Sequence, residues 1–146
     1  MSRLDLIRNV ALLESGSETP PSFHDAEVLA VRLDRRGASG PILEMDVHMF
    51  EVGRELTTGG THVLRRHQLV KLRFSGMVLE RLEGFNEQNV LWDLSIEEVK
   101  PKHAGGARLA VRVESSYGVS ASFQCSDAEV VATMPYDPID GSKEGL

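Results

Sequence analysis

A mainly β fold (β-rich α+β) is predicted from this sequence: an antiparallel sandwich or strongly curved sheet of about seven or eight strands behind one N-terminal helix. Three observations predict it. Short runs of alternating apolar and polar residues begin at Glu27, clusters of glycine, proline and aspartate separate the runs, and no strand–helix–strand alternation interrupts them. A chain of 146 residues suits one domain, 1–146, because that length buries one core but hardly two.

The helix is expected at about residues 3–14. Leu6, Val10 and Leu13 follow helical spacing, Ser2 can cap the start, Asp5 suits the positive end of the helix dipole, and Gly16 stops it. Ser15 to Ser22, with Pro20-Pro21, reads as a connection to a β body at 23–133. In that body Leu29, Val31 and Leu33 share one face, Asp34 to Gly37 has turn composition, and Leu43, Met45, Val47 and Met49 alternate with Glu44, Asp46 and His48. Glu51 to Thr61 has no apolar period and reads as a flexible loop. Val70, Leu72 and Phe74 alternate with Lys71 and Arg73, which would lie across from Glu44 and Asp46 if the two strands pair. Gly76 marks a bend, and Met77 to Leu82 is a short strand between glycines.

Val90, Trp92, Leu94 and Ile96 make the cleanest apolar face of the chain. On that phase Trp92 and the preceding Phe85 are core anchors, and truncating Trp92 to alanine would cost about 3 to 5 kcal/mol. Pro101 and Gly105-Gly106 turn the chain into a strand carrying Leu109, Val111 and Val113. Tyr117-Gly118 turns it again before Val119, Ala121 and Phe123, with a last segment at Ala128 to Thr133 and a loose tail at 135–146.

With 22 acidic and 16 basic side chains the net charge is -6, which disfavours direct binding to nucleic acid and suits a basic protein partner. The single Cys125 forms no intramolecular disulfide and reads as a small core residue. No membrane span and no secretory signal are recognisable, so a cytoplasmic location is expected.

Three groups of side chains could carry chemistry. His24, Asp25 and Glu27 fall within four positions, so a small enzyme or a metal-binding protein could use them, His24 as base and Asp25 as its orienting acid or both as ligands. The alternative is that His24 and Asp25 cap the start of the first strand, and it is preferred because no matching nucleophile is recognisable. Glu44, Asp46 and His48 recur at about 6.5 to 7 Å along one strand face, wide for ligands of one ion, so a solvated or partner-binding face is expected there. Asn86, Gln88 and Asn89 form an amide knot at a chain reversal, suited to locking a turn or contacting a partner. No catalytic set and no cofactor motif are recognisable, so neither turnover nor a cofactor is expected.

Several of these residues carry a resemblance. Pro21-Ser22-Phe23-His24-Asp25-Ala26-Glu27-Val28-Leu29, an acidic strand containing a histidine, Leu72-Arg73-Phe74, and Gly84-Phe85-Asn86-Glu87-Gln88-Asn89-Val90-Leu91 together resemble the immunity protein 50 family of bacterial polymorphic toxin systems. The resemblance spans roughly residues 20 to 97 and rests on strand and turn residues. It implies an intracellular antidote that binds and neutralises a cognate protein toxin without turnover. The acidity of the chain fits a basic toxin such as a nuclease. A structural homodimer built on a sheet edge or face is the remaining alternative, with few aromatics to spare for its interface.

Overall fold

The computed structural model describes residues 3–13, 22–56, 58–60 and 62–138. Among these are eight strands: β1 (Glu27–Asp34), β2 (Ile42–Leu56), β3 (His62–Ser75), β4 (Val78–Glu83), β5 (Val90–Glu98), β6 (Leu109–Tyr117), β7 (Ser120–Cys125) and β8 (Asp127–Pro135). They form one antiparallel sheet in the order β4-β7-β6-β5-β1-β2-β3-β8, which does not close into a barrel. The curved antiparallel sheet expected from the sequence is therefore present.

Two corners explain its curvature. β3 passes to β4 through Gly76-Met77, and β7 passes to β8 at Ser126, yet each pair of consecutive strands lies at opposite ends of the sheet. The Ser126 N–H donates to the Ser75 carbonyl at 2.9 Å, so the two corners are bonded to each other and the ends of the sheet converge. Gly76 has φ +62, and a Cβ there would collide with the Ser126 side chain. Only glycine combines that backbone with that approach.

The sheet thus behaves as two four-stranded halves, β8-β3-β2-β1 and β5-β6-β7-β4. Their ladders meet at the single pair Glu27↔Val90. The core lies between them: Phe74 of β3 and Phe123 of β7 meet edge to face with centroids 5.0 Å apart, both fully buried. Leu43, Met45, Val47, Val70 and Leu72 line one side, and Leu94, Ile96, Val111 and Val113 the other. These are the inward positions of the period-two reading.

Several expectations require correction. The N-terminal segment is not an α-helix but two short 3-10 turns, Leu4–Leu6 and Val10–Leu13. Between them the Arg8 N–H donates to the Ala128 carbonyl and the Val130 N–H donates to the Arg8 carbonyl, while Asn9 adopts φ +62. Backbone groups committed to β8 cannot continue a helical ladder. Ile7 and Leu13 are nevertheless buried. The Ser2 cap, the Gly16 stop, the Pro20-Pro21 connection and the tail beyond residue 138 lie outside the described residues.

The expected loop from Glu51 to Thr61 is mostly strand, because β2 continues to Leu56 and β3 resumes at His62. Register shifts between Met49 and Glu51 and between Val52 and Leu56 erase the apolar period without ending the pairing. In β1 a shift between Val28 and Ala30 displaces the alternation at its start, so Val28 is buried in place of Leu29; beyond it Val31 and Leu33 keep the expected face opposite Met45 and Leu43, although Leu33, near the strand end, is 50% exposed. In β5 a shift between Leu91 and Asp93 puts Leu91 into the core in place of Trp92, which is 60% exposed. Phe85, also expected as an anchor, is 50% exposed. None of the described helices is long and apolar enough to cross a membrane.

Candidate functional site

The amide knot is built around Asn89. Its Oδ1 accepts from the N–H groups of Asn86 (3.0 Å) and Val119 (3.1 Å), and its Nδ2 donates to the carbonyls of Asn86 (2.8 Å) and Val28 (3.3 Å). One buried side chain therefore ties β1, the β4–β5 turn and the β6–β7 turn. Asn86 acts locally, its Oδ1 accepting from the Gln88 N–H and its Nδ2 donating to the Gly84 carbonyl. Gln88 is exposed. Gly118 closes the assembly at φ +84, where a Cβ would strike the Gln88 carbonyl and Asn89 Oδ1. The structure places the knot as a turn lock.

That lock arranges aromatics on the outside of the sheet. Gly84 approaches Gly118 so closely that a Cβ on Gly84 would meet the Gly118 carbonyl, which sets their chain neighbours Phe85 and Tyr117 at the same end of the molecule. Tyr117 pairs with Val90 on β5 and is 64% exposed. Trp92 follows within the bulge. His24 packs against it edge to face with centroids 4.9 Å apart, and its Nδ1 donates to the Trp92 carbonyl at 2.9 Å. His24 Nε2 stands 3.6 Å from Asp25 Oδ2, longer than a hydrogen bond. Asp25 adopts φ +68, a conformation that aspartate tolerates, and its N–H donates to the Leu91 carbonyl. The start of β1 is capped by Ser22, whose Oγ accepts from the His24 N–H, rather than by the Asp25 carboxylate.

Glu27 does not join His24 and Asp25. It lies on β1 between Val90 of β5 and His48 of β2, and desolvation holds its carboxyl above the usual range. His48 was expected on a solvated face but is only 8% exposed. Its Nε2 stands 2.9 Å from Nδ1 of His67, a residue the sequence did not single out, and Phe50 and Tyr136 pack around it. The register shift between Met49 and Glu51 in the β2–β3 hairpin adjoins these rings. Burial, and then the neighbouring His67, push the His48 imidazolium below its ordinary pKa of 6.5.

This shift has a sign. The unfolded chain binds a proton at His48 at a higher pH than the folded chain does, so acidification below about 6.5 favours unfolding. Stability is expected to fall as pH decreases through that window, and His48→Phe should flatten the decline by filling the site with a group that does not titrate. Urea midpoints at a series of pH values check this, and equal slopes in the two proteins would refute it. Glu27, with its raised carboxyl pKa, acts in the opposite sense at lower pH. Near the pair, Arg66 and Glu51 are bound to each other at 3.3 Å.

Glu44 and Asp46 are engaged across strands. Arg32 grips Asp46 through two nitrogens at 2.7 and 2.9 Å, and Arg73 Nε reaches Glu44 at 2.7 Å. The pairings Glu44↔Arg73 and Asp46↔Lys71 are those expected from the alternation. Hydrogen bonds and charge from Arg32 hold Asp46 below the usual carboxylate range. Glu44 and Asp46 thus stand in an ion-pair ladder across β1, β2 and β3. Cys125 is fully buried, and desolvation pushes its thiol up to about 12, so it serves as a core residue. Among the described residues no three His, Cys, Asp or Glu side chains converge as a metal site would require.

Phe85, Trp92 and Tyr117 are each exposed, in segments tied by Asn89. Sequence reasoning placed Trp92 on the wrong face. The adjacent apolar pair Leu91-Trp92, which strict alternation cannot accommodate, was the available signal. No family model, no curated protein and no solved structure matches this chain.

Proposed function

We propose that this chain is a binding protein that neutralises a cognate bacterial toxin in the cytoplasm. The supporting observation is the exposure of Trp92, the only tryptophan, in the β5 bulge, with exposed Tyr117 paired to Val90 two residues earlier on the same strand and exposed Phe85 in the preceding turn. Large aromatics grouped on a surface are enriched where protein partners dock, since they bury much area at little conformational cost. The toxin as partner comes from the resemblance to the immunity protein 50 family. The candidate groups fit this role: Asn89 holds the frame, and Glu44 and Asp46 are neutralised across strands.

Co-expression with the product of the neighbouring gene, followed by purification and a growth assay, tests the proposal. The expected result is a stable complex and rescue of growth. Absence of both a neighbouring toxin-like domain and any co-purifying partner would overturn it. Given such a complex, Trp92→Ala is expected to weaken binding by tenfold or more while changing folding stability by less than about 1 kcal/mol. A loss of about 3 kcal/mol or more in stability would mean that the indole is part of the core.

A further inference from the structure

The outer surface around Trp92 contains an arrangement that the fold alone does not favour. Asp93, next to Trp92 in β5, lies directly opposite Glu114 of β6, two carboxylates paired across strands. Like charges in that relation destabilise a ladder. The Asp93 carboxylate makes no hydrogen bond or ion pair among the described residues, and Arg112 comes only within 3.8 Å of Glu114. The other half of the sheet treats its carboxylates differently, giving Asp46 and Glu44 to Arg32 and Arg73 at 2.7 Å. The same chain neutralises cross-strand carboxylates on one half and leaves a repelling pair on the other, beside its most exposed aromatics. The surface continues into a shallow groove lined by Glu80, Glu97, Arg112 and Glu114.

We infer that the outer face of β5 and β6, centred on Trp92 and Tyr117, is the surface that receives the partner, and that the partner presents arginine or lysine side chains to it. The inference rests on the binding role proposed above and specifies its location and chemistry. Aromatic faces attract cations, arginine most of all, and a cation between Asp93 and Glu114 would relieve their repulsion. A second copy of this chain would instead set acid against acid, and nucleic acid would be repelled.

Trp92 is the only fluorophore of its kind in the chain, so its emission reports on this face directly. The intact protein is titrated with decaarginine and, separately, with decaglutamate, at low and at high salt. Decaarginine is expected to change Trp92 emission saturably and in a salt-sensitive manner, whereas decaglutamate has no effect. Asp93→Asn/Glu114→Gln should weaken decaarginine binding by about tenfold, and Asp5→Asn/Glu98→Gln, which removes the same charge near Arg3, should leave it within about twofold. The first double variant should also melt about 1 to 4 °C higher than the parent, because it removes the repulsion.

Equal weakening by both double variants would reduce the effect to general attraction and overturn the inference. So would an unchanged emission, a lowered melting temperature in the Asp93→Asn/Glu114→Gln variant, or self-association in sedimentation that this variant abolishes. The toxin role fails on different grounds, the lack of a neighbouring partner. A toxin complex that Asp93→Asn/Glu114→Gln leaves intact would sink the surface assignment alone.

Discussion

Phe123→Ala is expected to destabilise the protein by about 3 to 5 kcal/mol, the range for removing a fully buried phenylalanine. Phe123 lies in β7 with no exposed surface and meets Phe74 of β3 edge to face across the core. Its burial is shared between two half-sheets whose ladders meet at the single pair Glu27↔Val90. Side-chain packing therefore carries much of the attachment of one half to the other, and the space left by the ring would be lined from both sides. Phe123→Leu retains most of the apolar volume and should cost about 1 to 2 kcal/mol. Urea denaturation followed by circular dichroism and Trp92 fluorescence measures both changes. A loss below about 1.5 kcal/mol for alanine would show that the halves do not share one core.

Asn89→Ala is expected to cost about 2 to 4 kcal/mol, from a side chain that contacts no ligand. The amide serves the backbone at Asn86, Val119 and Val28, and alanine would leave the Val119 N–H without its acceptor in a buried setting. An unsatisfied buried donor costs about 1 to 3 kcal/mol, and the remaining bonds add the rest. Asn86→Ala, more exposed, should cost less, and Gln88→Ala should fall within about 0.5 kcal/mol of the parent. This gradient separates a turn lock from a general polar surface. Equal effects at all three positions would refute it. Because Phe85 and Tyr117 are positioned by the same turns, Asn89→Ala should also weaken partner binding, whereas Gln88→Ala should not.

Much of the sheet was legible because most strands keep one buried and one open face. The alternation around Leu43 to Val47 and Val70 to Phe74 identified the core positions, and even the cross-strand partners of Glu44 and Asp46. The reading failed where an extra residue entered a strand. Bulges in β1 and β5 shifted the phase locally, which moved Leu29 and Trp92 from expected core to surface and brought Val28 and Leu91 inward. The 3-10 turns at the N-terminus were hidden for another reason. Residues at helical spacing also suit a segment whose backbone is engaged by β8, and only that tertiary partner distinguishes the two.

The candidate site was less legible than the fold. His24, Glu27, His48 and Asn89 were named from sequence, but their grouping changed: His24 went to Trp92, Glu27 to the neighbourhood of His48, and His48 to His67. The repelling pair of Asp93 and Glu114 could not be seen at all, because opposition across strands depends on register.

By itself the sequence determined an antiparallel β chain, its turns, most of its apolar core and an amide-rich reversal, since these follow from local periodicity and turn chemistry. Only the tertiary structure decided which way Trp92 faces and that Asp93 opposes Glu114. A single inserted residue reverses the face of everything beyond it, and cross-strand neighbours are set by pairing between segments distant in the chain. The stretch from Leu69 to Val99 shows both: Phe74 and Leu94 are buried as their spacing requires, while Trp92, between them in sequence, is placed outside by the β5 bulge.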